Sequence, residues 1–229
     1  MSAPDVHAFT VGPVQENSYI VRATPQSTQA IIIDPGEEPE RLLAAAKSLG
    51  VEIEAILITH CHFDHIGAVA PVAEATGAPV YCPRIERPVL ADVMSWVPPG
   101  FGPFESYEAD HTVAGGERLS LAGLDIDVIF TPGHSPGHVT YAASGALLSG
   151  DVIFQGSVGR VDLPGGDWPT LERSIETLVK AYPPETVIYP GHMGVTTIGR
   201  ELQTNPFLAE LRTRIPAAEA TADAPAGRP

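Results

Sequence analysis

Four short runs constrain this chain more than anything else in it: AIIID at 30–34, AILIT at 55–59, DVIFT at 127–131 and TVIYP at 186–190. Each is almost wholly apolar and rich in β-branched residues, the composition of a strand covered on both faces inside a sheet. Helical patterns fall between them. Leu42, Leu43, Ala46 and Leu49 share a face, with Gly50 as a stop, and Leu171, Ile175, Leu178, Val179 and Tyr182 form a second apolar stripe after Pro169. A third helix is expected over Asp64 to Gly77. Pro71 fits it only if the helix begins near Ile66 to Ala68, where a missing N–H is one of the unpaired first-turn donors. Strand and helix alternate, so the fold class is α/β. With 229 residues, no sharp boundary and no short repeat, the chain reads as one domain over 1–215. An Ala/Pro-rich tail without periodicity, flexible by composition, is expected over 216–229.

Each apolar run leads toward metal-binding side chains. LITHCHFDHIGA, 57–68, holds His60, Cys61, His62, Asp64 and His65 within six positions. TPGHSPGH follows DVIF and carries His134 and His138; LLSGD ends on Asp151; YPGH follows TVIY and ends on His192. Strand exits are where α/β sheets gather their ligands, so groups far apart in sequence are expected to converge at one edge. Singly, each has an ordinary alternative: Asp64 as a helix cap, His134 or His192 as a hydrogen-bonded loop histidine. Together, five of the eight histidines and two aspartates at strand exits point to a metal site. His7 and His111 lack such settings.

Imidazoles and carboxylates suit zinc, iron or manganese, whereas a closed structural zinc site typically uses thiolates, so an open, catalytic site is expected. Seven ligands exceed the three protein ligands of a mononuclear catalytic zinc. Two metals sharing a bridging carboxylate and a bridging water is the economical count, and one metal with supporting groups is the alternative. Cys61 is expected to be a bystander, because alternation along the chain aims it away from its two neighbours. Residues 83–118, with Trp96, Phe101, Phe104 and Tyr107 among prolines and glycines, either wall a cleft or pack as an ordinary loop.

A formal charge of -15, with 13 Lys+Arg against 28 Asp+Glu, offers no basic field to a nucleic acid or an anionic membrane surface, so a small-molecule partner is expected. Neither an export signal nor a membrane-spanning run is read, and two cysteines are too few for a disulfide framework. The expected location is the cytoplasm.

The motifs THCHFDH, TPGHSPGH, SGD and YPGH, extended by DPG at 34–36, GRVDLPGGD at 159–167 and NPFL at 205–208, resemble the metallo-β-lactamase fold. Within it they are most similar to the short glyoxalase II-like hydrolases, over about Val6 to Leu211. The resemblance implies a four-layer αβ/βα sandwich of two mixed sheets, one from each half of the chain, with metals at the edge between them. It implies that His60, His62 and His134 hold one divalent metal, that Asp64, His65 and His192 hold a second, and that Asp151 bridges. Asp64 and Asp151 then frame a bridging hydroxide. Zinc is the expected ion, with iron or manganese as alternatives. Asp34 matches a supporting aspartate that orients a ligand histidine, its alternative being a turn residue before Pro35. His138 falls where the family keeps a non-ligand histidine, and Cys61 where it tolerates varied residues.

The implied activity is hydrolysis of S-lactoylglutathione, another S-2-hydroxyacylglutathione or a related thioester. Hydroxide attacks the acyl carbonyl, the metals stabilise the oxyanion, and a thiolate whose pKa is about 8.5 leaves without a strong acid. Arg160, in GRVD, is the candidate contact for a substrate carboxylate, ahead of Arg84 and Arg87. Longer members carry a C-terminal helical domain with basic residues that help hold glutathione; here Gly199 to Ile215 and the tail stand in its place, so the thiol carrier stays open. The alternative, from another reaction class, is a persulfide dioxygenase using one iron on two histidines and an aspartate, with glutathione persulfide as substrate. A β-lactamase is disfavoured by the missing export signal and by Asp151.

Overall fold

A computed structural model describes residues 3–214; the tail expected at 216–229 lies outside the described residues. Two mixed six-stranded sheets face each other. The first holds β1 (Asp5–Val11), β2 (Glu16–Arg22), β3 (Gln29–Ile33), β4 (Glu52–Leu57), β5 (Val80–Pro83) and β6 (His111–Val113), side by side in that order. The second is built from β7 (Arg118–Leu121), β8 (Leu124–Phe130), β9 (Val139–Ala143) and β10 (Ala146–Gly150). After the small hairpin of β11 (Ile153–Phe154) and β12 (Ser157–Val158), β13 (Val187–Pro190) and β14 (Thr196–Thr197) complete it in the spatial order 14-13-10-9-8-7. The helices are α1 (Pro39–Leu49), α2 (Phe63–Ile66), α3 (Val69–Thr76), α4 (Arg87–Ala91), α5 (Trp168–Ala181), α6 (Ile198–Thr204) and α7 (Ala209–Arg214).

The layering follows from the two-residue period of the strands. Ala30 and Ile32 of β3, with Ile56 of β4, join a core shared with Leu42 and Ala46 of α1 and Val69 and Val72 of α3. Their neighbours Ile31, Ile33, Ala55 and Leu57 point the other way, into a core shared with Leu124, Ile126, Val128 and Tyr141 of the second sheet. A third core packs Leu147 and Ile188 against Leu171, Ile175, Leu178 and Val179 of α5. Helix, sheet, sheet and helix are the four expected layers, and each half of the chain supplies one sheet.

Two local expectations need correction. The run at 127–131 is not covered on both faces: β8 alternates, with Asp125, Asp127 and Phe130 exposed between buried Leu124, Ile126 and Val128. Its outward side is only partly covered by the helical layer, so it needs polar groups. The third helix is also broken. Its chain turns once in α2, breaks at Gly67 and Ala68, and resumes at Val69, which leaves Pro71 in the first turn of α3 where its missing N–H costs nothing. Asp64 and His65 therefore sit in a helical turn, and Asp64 caps neither segment. The α1 prediction matches in detail, Gly50 closing that helix in the left-handed conformation at φ 68°.

Strand direction gathers the site. β3, β4 and β5 are parallel, and so are β8, β10 and β13, because β9 is antiparallel to both β8 and β10 while β13 is parallel to β10. Asp34, His60, His134, Asp151 and His192 follow the C-terminal ends of these strands. The halves are tied at the same edge: Asn17 Nδ2 donates to the carbonyls of Pro190 and Met193 at 3.1 and 2.9 Å, and Tyr19 Oη donates to Pro190 at 2.6 Å. Among the described residues no helix is long and apolar enough to cross a membrane.

Candidate metal centre

The imidazoles converge with their tautomers set. His134 Nδ1 lies 2.7 Å from the carbonyl oxygen of Arg160 and His192 Nδ1 3.2 Å from that of Gln15. A carbonyl only accepts, so both nitrogens donate and the neutral rings carry their lone pairs on Nε2. Asp34 does the same work for two more. Its carboxylate accepts from Thr59 N–H at 2.7 Å, Thr59 Oγ1 at 2.6 Å and His65 Nδ1 at 3.0 Å, and Thr59 Oγ1 in turn accepts from His60 Nδ1 at 3.1 Å. Asp34 takes the left-handed backbone conformation, φ 47°, where the chain leaves β3, and its carboxylate does the supporting work. Lone pairs on His60, His65, His134 and His192 are thereby aimed inward.

Two groups result. His60 Nε2, His62 Nδ1 and His134 Nε2 lie 2.8 to 3.2 Å from one another. His62 Nδ1–H can donate to one neighbour, but the Nε2 lone pairs of His60 and His134 face each other at 3.2 Å, a repulsion that a cation among the three would relieve. In the second group, His192 Nε2 is 3.2 Å and His65 Nε2 3.8 Å from Asp64 Oδ2. Asp151 lies between the groups: its Oδ2 is 3.3 Å from His134 Nε2 and 3.6 Å from His192 Nε2, and its Oδ1 is 3.4 Å from His65 Nε2. Asp151 Oδ1 and His65 Nε2 are buried yet have no hydrogen-bond partner, an arrangement that a metal ligated by both satisfies. Gly191 makes the space, since a Cβ there would overlap Asp151 Oδ1 and His65 Cε1. Either trio of side chains can hold one ion. A third combination, Asp34 with His60 and His65, is the bracing network just described, with its oxygens already engaged.

Charge is partitioned between the groups. Burial, then the neighbouring His134, pushes His62 down to about 4, and burial followed by His65 holds His60 well below the usual imidazole range. In the second group burial opposes charge on His65, but the carboxylates of Asp151 and Asp64 outweigh it and raise this histidine well above its ordinary value. His192 is raised in the same way by Asp64 and Asp151 against burial. Burial would raise Asp151 and Asp64, yet the surrounding histidines hold both carboxyls below their ordinary values.

All seven residues singled out from the sequence thus meet at one edge. His138 stands behind them: its Nδ1 pairs with Thr131 Oγ1 at 3.0 Å, its Nε2 accepts from Asp151 N–H at 3.0 Å, and the ring stacks on His60. It positions Asp151. Cys61 Sγ packs 3.6 Å from Cys82 Sγ in the helix-side core, and it joins no metal-capable group among the described residues. Arg160 lies at the rim with its guanidinium held by Asp162 through two 2.7 Å bonds; its carbonyl is what fixes His134. Arg84 and Arg87 are exposed, and Arg87 pairs with Glu108.

Three supporting residues went unread in the sequence. Thr59 relays Asp34 to His60. Glu86, buried, accepts from Ser135 Oγ and Gly137 N–H at 2.7 Å each and so ties the segment after β5 to the TPGHSPGH loop. Glu16 is fully buried with neither oxygen paired, 3.6 Å from His65 Nδ1, and burial pushes its carboxyl far above the usual range. Only the position of Thr59 beside His60 carried any signal. The cluster floors a cavity of about 700 Å³ whose wall includes Ile85, Pro88, Val89, Trp96 and Pro98. Both readings of 83–118 hold in part: residues 85–98, Trp96 among them, wall the cleft, whereas Phe104 and Tyr107 pack on the helix-side core.

Comparison with known proteins accords with this site. The chain is 40% identical to the probable metallo-hydrolase YqgX of Bacillus subtilis, over 86% of this chain and 94% of that one. It is 35% identical to the hydroxyacylglutathione hydrolase GloC of Haemophilus influenzae, over 89% and 98%. Among solved structures, BLEG-1, named a B3 metallo-beta-lactamase, superposes with a TM-score of 0.84 at 38% identity, covering 90% of this chain and 100% of that one. TTHA1623 in a di-iron-bound form gives 0.71 at 42%, covering 88% and 100%. ETHE1 from Myxococcus xanthus gives 0.75 at 26%, covering 90% and 85%. The family described as the metallo-beta-lactamase superfamily matches residues 11–192, and with the fold and the converging histidines and aspartates in place, this chain belongs to that superfamily.

Proposed function

We propose that the protein is a metal-dependent thioesterase of the glyoxalase II type, cleaving an S-2-hydroxyacylglutathione such as S-lactoylglutathione, or a related thioester, to the acid and the free thiol. The observation that carries this reading is Asp151, buried between two lone-pair clusters with one oxygen unpaired. In it, His60, His62 and His134 would hold one divalent metal, Asp64, His65 and His192 would hold the other, and Asp151 would serve both. Zinc is the proposed ion, iron and manganese the alternatives; the di-iron form of TTHA1623 supports keeping iron among them. Such metals supply Lewis acidity and lower the pKa of a coordinated water to about 7.

The chain's own part is orientation. Asp34, Thr59 and the carbonyls of Arg160 and Gln15 keep four imidazole lone pairs pointed inward, and His138 fixes the backbone of Asp151. Arg160 is the proposed rim contact for substrate. No side chain need act as nucleophile or strong acid, because a thiol leaves readily as thiolate. The name of the Haemophilus relative supports the thioester, and two free buried cysteines suit a reducing compartment, the cytoplasm in this reading.

The likeness to ETHE1 supports one second reading, a mononuclear iron persulfide dioxygenase. Metal per chain, thiol release from thioesters, oxygen uptake with glutathione persulfide and ring opening of a β-lactam, measured on one preparation, separate the cases. Two metals with chelator-sensitive thiol release are expected. One iron with oxygen uptake, or lactam hydrolysis without thiol release, would replace the thioesterase reading.

A further inference from the structure

The cavity above the cluster is polar at its floor and largely apolar around its wall. His62, Asp64, Asp151 and His192 lie there, while Val14, Phe63, Ile85, Val89, Trp96 and Leu163 form much of the wall. Val14, Ile85 and Trp96 are 37%, 54% and 58% exposed, large apolar groups left in water beside the candidate centre. Isolated apolar side chains on a surface need no explanation, but several lining one concave site favour an apolar ligand that covers them. Phe63 is held in place from behind by Phe101, with ring centroids 4.6 Å apart, so this part of the wall is a packed surface.

The polar groups of the wall are largely committed. Glu86 Oε1 accepts from Ser135 Oγ and Gly137 N–H, its Oε2 accepts from Cys61 N–H at 3.4 Å, and Ser135 Oγ is used in the first of these bonds. Arg160 is the one Arg or Lys lining the cavity among the described residues; Asp162 holds its Nε and Nη2, which leaves Nη1 for a ligand. A glutathione conjugate brings two carboxylates and one ammonium. Seating both carboxylates against this wall strips their hydration with one half-engaged cation, Arg160, in exchange, in a chain whose net charge is -15.

We infer, resting on the thioesterase reading, that the preferred substrate is a thioester with an apolar acyl group, and that an uncharged thiol arm serves at least as well as glutathione. The chemistry stays balanced: water adds across the acyl carbon–sulfur bond, a C–O bond replaces C–S, and the products are a carboxylic acid and a thiol. The apolar part lies against Trp96 and Ile85. A volume of about 700 Å³ is ample for an aryl-bearing acyl group with a short thiol arm.

Four thioesters test this on the metal-loaded full chain, lactoyl and mandeloyl each carried by glutathione and by N-acetylcysteamine, with thiol release as the readout. Added apolar surface in such a pocket is worth roughly tenfold or more in kcat/KM, so mandeloyl is expected to exceed lactoyl by about that factor on either thiol, with N-acetylcysteamine at least equal to glutathione. A mandeloyl preference below about threefold, or a preference for glutathione, would overturn the inference while leaving the thioesterase reading intact. No cleavage of any of the four would overturn the reading itself. In Trp96→Ala, an exposed position, the mandeloyl-to-lactoyl ratio should fall by about tenfold at unchanged metal content; an unchanged ratio would remove Trp96 from the site.

Discussion

In the proposed centre, Asp151 is the residue on which the two halves depend. Replacing it with Ala is predicted to reduce metal content from two per chain to one or fewer, and to lower thiol release by more than about 100-fold, beyond what supporting residues produce. Elemental analysis with a thiol assay checks both. Asp34→Ala acts at one remove, through His65 and Thr59, and is predicted to weaken metal binding by about 10- to 100-fold while leaving the fold intact. Protonation gives an independent handle. His65 and His192 have pKa values raised by adjacent carboxylates in the metal-free protein, whereas His62, pushed down to about 4, is already neutral at pH 7. A metal takes the nitrogen that a proton would hold, so binding at pH 7 is predicted to release about one proton or more per chain. The release fades as pH rises through the raised values. Calorimetry in buffers of different ionisation enthalpy measures it, and zero release at pH 7 would contradict the upward shift of His65 and His192. At this scale, the seven converging groups were legible because each follows an apolar run. Glu16 and Glu86 were not: a carboxylate within QENSY or RIERP reads as surface, and only tertiary packing buries it.

At the scale of elements, the parallel strands were legible and their coverings less so. AIIID and AILIT sit between two cores as their composition demands, but DVIFT alternates because one of its faces meets water, and the aspartates at 125 and 127 were the available sign. The break between α2 and α3 was written in Gly67 and Pro71, yet a continuous apolar pattern masked it. Helix α5 is a clean case. Asp167 caps it, accepting from Thr170 N–H at 2.9 Å, and its own N–H binds the carbonyl of Gly133 beside His134. Asp167→Ala is predicted to cost about 1 kcal/mol, lowering Tm by about 2–4 °C at unchanged metal content, as thermal melts and elemental analysis would show.

At the scale of the whole molecule, the candidate centre is a seam. Four of the proposed ligands come from the segment after β4 in the first sheet, and three from the ends of β8, β10 and β13 in the second. An ion held by both halves binds the folded chain and not the unfolded one, so removing it should lower Tm; at a concentration 100 times the dissociation constant the effect is about 2.7 kcal/mol. The two-sheet sandwich could be anticipated from motifs, whereas the cavity's apolar wall was legible only in the segment after β5, because Val14 and the loop before α5 join it through tertiary packing alone. The most direct measurement of the central claim is to strip the protein of metal and titrate it with zinc while following thiol release from a thioester. The predicted result is a rate that climbs until two metals per chain are bound and that Asp151→Ala abolishes. Full activity at one metal per chain, or a rate unaffected by stripping, would contradict it.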